Sequence, residues 1–352
     1  MNRIIAFLLV IAAVVVPACP PAAAQSGNIR EAVSGAVRSA VNSAVNAMVD
    51  SSVQLATNLA LENALSAALA AAVPPVEINF DDAPDAACPD HSETNFGDDL
   101  RTYSAVEQHT LPVTIGSVFV HGAHNGGVSV RGWDRNEIQV TACKYAGAEN
   151  DAEGRQRLAD IHINISGGDI STSGPDQNGD RHWTVHFLVR APSSVALRLE
   201  AYNGPMSVRE TGSDVEANTV NGPLTLKLAT GNVQATTRNG PLTVSDCSGK
   251  ITASAQNGPL TVSLNDRQWR GAGLEASTHN GPLTVRVPEG YLSGVDVDAG
   301  GHSPFSCSLR DCNSVQSSKP WDRTTHVHLG SGNTAVHVST VNGPVHIGSS
   351  ME

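Results

Sequence analysis

The feature that most constrains this chain is a short phrase that returns at a fixed step. Asn203-Gly-Pro-Met-Ser-Val is followed by Asn221-Gly-Pro-Leu-Thr-Leu, Asn239-Gly-Pro-Leu-Thr-Val and Asn257-Gly-Pro-Leu-Thr-Val. Asn280-Gly-Pro-Leu-Thr-Val comes next, and Asn342-Gly-Pro-Val-His-Ile follows an interruption. The first three steps each advance the numbering by 18, and the fourth by 23. Self-similarity at a fixed period marks units that bury a core only by stacking on their neighbours.

Each unit reads as strand, corner, strand and loop. Val233, Ala235 and Thr237 alternate before Asn239, Ile251, Ala253 and Ala255 before Asn257, and Val336, Val338 and Thr340 before Asn342. A period of two puts such residues on one face of a strand. After the triplet, Leu242 and Val244 share one face and Thr243 takes the other. The glycine admits a positive φ and the proline fixes its own, so the triplet is expected to be a rigid corner. The expected fold is all-β, a β-solenoid of the parallel β-helix kind built from coils of about 18 residues. A long N-terminal α-helix is expected to precede it. Asn203, Asn221, Asn239, Asn257, Asn280 and Asn342 are assigned a structural turn role, each bonding to the next coil. An antiparallel up-and-down sheet is the competing fold, but identical units stack in register most simply as parallel coils. The five extra residues of the fourth step fall between Asn265 and Gly273, read as a loop bulging around Trp269.

A narrow stacked interior explains the composition. Aromatics make up only 4% of the chain, so Val, Leu, Ile, Ala and Thr must fill the core. The net charge of -12 argues against an electrostatic nucleic-acid binder.

The rest of the chain divides by composition. Residues 1–24 read as a signal peptide, with Arg3, an apolar run over 4–16 and Ala22-Ala23-Ala24 before Gln25. Val16-Pro17-Ala18-Cys19 offers a competing lipoprotein site at Cys19. Either route exports the chain to the periplasm, the outer membrane or the exterior. Residues 25–75 are rich in Ala and Val, with Val33, Val37, Val41, Val45, Val49 and Val53 every fourth residue. They read as a helix ended by Pro74-Pro75, and 28–73 as a candidate self-association stripe. Residues 76–108 are read as an acidic linker, carrying Glu77, Asp81, Asp82, Asp85, Asp90, Glu93, Asp98 and Asp99. Residues 109–192 read as an irregular N-terminal β part, with a short helix within 147–160. The regular repeats span 193–290, a Cys-containing insertion 291–325, and a terminal rung 326–352.

Export permits disulfides. Cys307 and Cys312 are spaced for a local bridge, Cys88 with Cys143 is a second pairing, and Cys247 is left over.

The repeats, with Val128-x-Val130-x-Gly132-Trp133-Asp134 and Glu137-x-Gln139-Val140, resemble the bacterial putative-adhesin family of envelope proteins, built on β-strand repeats around a domain of unknown function. The resemblance covers roughly 110–350. It implies a β-repeat fold and no defined activity, since fold alone does not establish function.

The chemistry in the sequence is sparse. No GxSxG, HExxH or P-loop pattern is present. Glu210, Asp214, Glu216, Asp246, Asp266 and Glu275 take different positions in different units and form no repeated carboxylate pair. His326, His328, His337 and His346 lie on outward strand positions near the C-terminus and are the candidate metal ligands, against a plain solvent face as the preferred reading. Ser207, Thr225, Thr243, Thr261 and Thr284 form an outward rank, but the rank two residues on varies through Arg209, Lys227, Ser245, Ser263 and Arg286. That variation argues against a flat water-ordering array. No cofactor is expected. The sequence reading is a non-catalytic exported envelope protein, presenting a surface for adhesion, binding or scaffolding to an unidentified envelope or surface component. Its rivals are a carbohydrate-active β-helix enzyme and a structural assembly unit joined through the N-terminal helix.

Overall fold

The computed structural model describes residues 88, 89, 96, 100–176, 183–300, 303–309, 312, 316, 317 and 325–350. The expected signal peptide, Cys19, the expected N-terminal helix with its self-association stripe and most of the expected acidic linker lie outside them. Among the described residues the chain is mostly β, in two large sheets.

The N-terminal part contributes β1 (Arg101–Pro112), β2 (Ser117–His121), β3 (Val128–Trp133), β4 (Glu137–Ala148), α1 (Asp151–Ala159), β5 (His162–Ser166), β6 (Asp169–Ser173), β7 (Trp183–Pro192) and β8 (Ala196–Ala201). Helix α1 starts at Asn150, whose side chain accepts a hydrogen bond from Glu153 N. That satisfies one of the four donors a helix start leaves open. β1 begins at Arg101, so the last eight residues of 76–108 are strand and not linker.

The repeats form β9 (Met206–Arg209), β10 (Val215–Asn221), β11 (Leu224–Lys227), β12 (Asn232–Asn239), β13 (Leu242–Ser245), β14 (Lys250–Asn257), β15 (Leu260–Ser263), β16 (Gly273–Asn280) and β17 (Leu283–Val287). The C-terminal part adds β18 (Gly294–Ala299), β19 (Phe305–Cys307), β20 (Gln316–Ser317), β21 (Thr325–Leu329), β22 (Thr334–Asn342) and β23 (Val345–Ser349).

Sheet 1 runs β1-β4-β7-β3-β9-β11-β13-β15-β17-β23-β19, and sheet 2 runs β20-β21-β18-β22-β16-β14-β12-β10-β8-β2-β6-β5. The repeat strands pair in parallel, one unit on the next. Leu224, Leu242, Leu260 and Leu283 are partners in succession, and so are Ala217, Ala235, Ala253 and Ala276. Antiparallel pairs occur toward the ends of the sheets, at β1–β4, β4–β7, β5–β6, β18–β21 and β20–β21.

Identical residues stacked on one inward face make one continuous core. Leu224, Leu226, Leu242, Val244, Leu260, Val262, Leu283 and Val285 are all buried. Each such side chain contributes about 1.5–3 kcal/mol. Trp269 departs from the sequence expectation. Residues 265–268 and 270–272 of its loop are exposed, but the ring itself turns inward: it is buried in the core and its Nε1 donates to Gly249 O at 3.1 Å.

The C-terminal unit also departs from its expected place. β22 and β23 are not the last level. They lie between β16/β17 and β18/β19, so the segment expected as an interruption caps the stack outside the final repeat.

Candidate functional site

The Asn-Gly-Pro corners line up into a spine. Asn203 Nδ2 donates to Asn125 Oδ1 at 3.0 Å, Asn221 to Asn203 at 2.7 Å and Asn239 to Asn221 at 2.8 Å. Asn257 donates to Asn239 at 2.9 Å, Asn280 to Asn257 at 2.9 Å and Asn342 to Asn280 at 3.0 Å. Asn125 is a member that the sequence phrase does not reveal, because Gly126 is followed by Gly127 in place of proline. Beneath the asparagines, Thr219, Thr237, Thr278 and Thr340 donate to the carbonyls of Gly204, Gly222, Gly258 and Gly281.

The corner glycines have a different cause from the one the sequence suggested. None of Gly204, Gly222, Gly240, Gly258, Gly281 and Gly343 has a positive φ. A Cβ on Gly222 would instead overlap the Gly204 carbonyl, and the same overlap recurs up the spine. Glycine is needed because the stacked backbones leave no room for a side chain. The opposite corner differs: Glu210, Leu228 and Asp246 each sit there at φ 54°, in the left-handed region.

Outside the core, the register sorts charge by sheet. On the outward face of sheet 2 one row reads Asp169, Phe119, Arg198, Glu216, Gln234, Thr252, Glu275, His337, Asp296, His328. The next row holds His121, Glu200 and, farther along, Asp298 and His326. This face carries six carboxylates, Asp169, Glu200, Glu216, Glu275, Asp296 and Asp298, against the cations Arg198, Arg238 and Lys250, with Arg198 set against the Phe119 ring at 4.7 Å.

Three of the four candidate histidines meet on this face. His328 Nδ1 is 2.6 Å from Asp296 Oδ1, Thr334 Oγ1 donates to Asp296 Oδ2 at 2.8 Å, and His337 Nε2 is 3.2 Å from Asp298 Oδ2. His326 Nδ1 pairs with the other oxygen of Asp298. His346 is elsewhere, on sheet 1, beside Ser306 Oγ. The imidazoles thus alternate with carboxylates across three strands, and among the described residues no group of His, Cys, Asp and Glu converges as a metal site. Burial alone would raise the Asp296 carboxyl, but hydrogen bonds from His328 and Thr334 and the nearby imidazoles hold it below its usual range. Sequence reasoning missed Asp296 and Asp298. The alternation Val295-Asp296-Val297-Asp298 was the available signal.

The outward face of sheet 1 is the opposite. One row reads Thr110, Gln139, Arg190, Arg131, Arg209, Lys227, Ser245, Ser263, Arg286, Gly348. The row beside it reads Gln108, Thr141, Leu188, Ser129, Ser207, Thr225, Thr243, Thr261, Thr284, His346, Ser306, of which Thr141 and Ser207 are buried. Neither row contains a carboxylate. Glu210 reaches in from the corner to pair with Arg131 at 3.1 Å. Trp133 follows Arg131 on the same face, with Arg135 and Arg190 guanidinium groups 5.0 and 5.9 Å from its ring.

The cysteines pair as Cys88–Cys143 and Cys307–Cys312, and Cys247 is buried as a free thiol. Burial pushes the Cys247 thiol up to about 11, against attack as a nucleophile. A cleft of about 200 Å³ beside Pro288, Tyr291, Leu309 and Leu329 is smaller than the roughly 300–1,000 Å³ of small-molecule sites, and Glu289 is its lining carboxylate.

Comparison with known proteins adds a likeness of shape. No known family profile matches the chain, and no curated protein matches it. Solved structures do. A "putative cell adhesion protein" from Clostridium sporogenes is 11% identical, covers 70% of this chain and 100% of its own, and has a TM-score of 0.27. A "putative adhesin" from Bacteroides fragilis is 10% identical, with 70% and 97% covered and a TM-score of 0.35. A "putative lipid binding protein" from Parabacteroides distasonis is 10% identical, with 69% and 96% covered and a TM-score of 0.26. The adhesion proteins among these fit the resemblance noted in the repeats. At such TM-scores the likeness carries no argument about ligand or activity.

Proposed function

We propose that this chain is an exported, non-catalytic envelope protein, a β-solenoid whose long sheet faces bind a surface component. The observation that carries the reading is the pair of outward faces, long in-register rows of polar side chains: hydroxyls and cations on sheet 1, carboxylates, imidazoles and amides on most of sheet 2. Such a face suits an extended partner better than a small substrate. The two disulfides support an oxidising, extracytoplasmic location.

The rival enzyme needs two carboxylates, one of them held protonated. Asp296 and Asp298 lie two residues apart on one strand face, about 7 Å along it. Each is clamped by imidazoles, and Asp296 is shifted away from the range of a general acid. Incubation of the purified protein with soluble polysaccharides tests the reading. We expect no new reducing ends, and polymer cleavage that disappears in Asp296→Asn would overturn it. Mass spectrometry of the mature N-terminus tests export: a lipidated Cys19 or a start at Gln25 is expected, and an intact Met1 would contradict it.

A further inference from the structure

We propose that Asn342 is a covalent modification site, where the asparagine spine is converted to aspartate and isoaspartate. The reaction is spontaneous and its co-reactant is water. It goes beyond the binding reading and does not depend on it.

Every member of the spine is an Asn-Gly pair. The pair is labile because glycine has no Cβ to keep the asparagine side chain from its amide nitrogen. That nitrogen gives its proton to solvent base and attacks the asparagine Cγ. An N–Cγ bond forms, the Cγ–Nδ2 bond breaks, and the side-chain nitrogen takes up a proton and leaves as ammonia. A five-membered imide remains. Water opens it at either carbonyl, giving aspartate or isoaspartate. One water enters, one ammonia departs, and nothing is oxidised or reduced.

The attack needs two freedoms. The side chain must turn toward its own glycine, and the glycine N–H must be open to base. The inner levels of the spine deny both. Asn221, Asn239, Asn257 and Asn280 each donate to the asparagine below and accept from the one above. Their glycines, Gly222, Gly240, Gly258 and Gly281, donate N–H to the asparagine carbonyl of the next level at 3.1, 3.0, 3.0 and 2.8 Å. Reaction at any of the four therefore breaks two side-chain bonds and one backbone bond. At the foot, Asn203 is also held from both sides, and Gly204 is buried. Beside Asn125, the buried Gly126 donates its N–H to Ala123 O at 3.0 Å.

Asn342 is held least. It donates to Asn280, but the corner above it ends in Ser303-Pro304 and residues 300–304 contain no asparagine to donate back. Pro304 O accepts from Val345 N there, as Pro344 O accepts from Leu283 N one level below. The Gly343 N–H meets Ser303 Oγ at 3.4 Å, longer than the four backbone bonds beneath. Asn239 and Asn257 are exposed as Asn342 is, so bonding and not exposure singles it out. The product matters to the fold. A carboxylate only accepts, so the donated bond to Asn280 is lost. Isoaspartate also adds a methylene to the main chain at the corner between β22 and β23.

The test incubates the full mature protein in mildly alkaline buffer, folded and in concentrated urea, and reads each site by tryptic mass spectrometry. Cleavage at Lys227, Arg238, Lys250, Arg270 and Arg286 puts Asn221, Asn239, Asn257, Asn280 and Asn342 in separate peptides. In the folded protein Asn342 should convert about tenfold or more faster than the other four, since fewer bonds restrain it. In urea all five should convert at similar rates. Equal rates in the folded protein overturn the proposal. So does an inner asparagine that reacts before Asn342, or an Asn342 that stays intact while urea converts the rest.

Discussion

Each repeat turns two corners, and they are built on opposite terms. At the spine every level repeats Asn-Gly-Pro, the side chains bond from level to level, and the glycines are squeezed between carbonyls. At the far corner the residues change from Glu210 to Leu228 to Asp246, and a left-handed backbone is imposed on side chains that resist it. Crowding is uneven there. A Cβ on Gly231 would overlap Ser213 O, whereas at Gly212 the nearest atoms are 3.4 Å away. The fourth step places its five extra residues on this side, between β15 and β16. One corner holds register and the other absorbs variation.

The largest way to break that contrast is Gly240→Ala. Its Cβ meets the Gly222 carbonyl, a backbone atom that cannot swing away, so a loss of about 3 kcal/mol or more is expected. Gly212→Ala at the far corner should change the denaturation midpoint little. Equal effects at the two sites would end the distinction.

The second test uses acid at the foot of the spine, where His186 Nδ1 accepts from Gly127 N at 3.0 Å. Burial pushes this imidazole down to about 4. The unfolded group titrates near about 6.5, so between these values the unfolded chain binds more protons. Stability therefore falls as pH drops from about 6.5 to about 4, by roughly 3 kcal/mol in total. In His186→Gln, which can still accept the bond, thermal melts should lose this slope. Parallel slopes in both proteins would refute it.

Asn239→Ala removes two rungs of the ladder and should cost about 1–2 kcal/mol by urea denaturation. No measurable cost would reduce the ladder to decoration on glycine packing. The smallest effect has the opposite sign. Leu228→Gly relieves a left-handed, exposed leucine and should stabilise by about 1 kcal/mol, before subtracting the added freedom of the unfolded chain. Destabilisation would show that Leu228 packs better than its exposure suggests.

What the sequence made legible is what the period carries. The repeat step foretold which leucines and alanines would stack, because a fixed step fixes the partner. It did not foretell why glycine recurs, since φ and crowding leave the same letter. Nor did it foretell Asn125, Arg131 or Arg190, whose partners lie at irregular separations. The alternation marked Asp298 as outward but not its partner, because His326 is on an antiparallel strand 28 residues away.

The placement of β22 and β23 has a consequence for assembly. A chain emerging from the ribosome presents β18 and β19 before the strands that separate them from β16 and β17. Until those arrive, β16 and β17 expose open edges, the kind that recruit other chains. The distal end must therefore be finished out of order, by a segment whose Asn342 bonds to a residue 62 positions earlier. Slotting that segment in closes both edges at once, so the stack carries its own check that synthesis has run past residue 349.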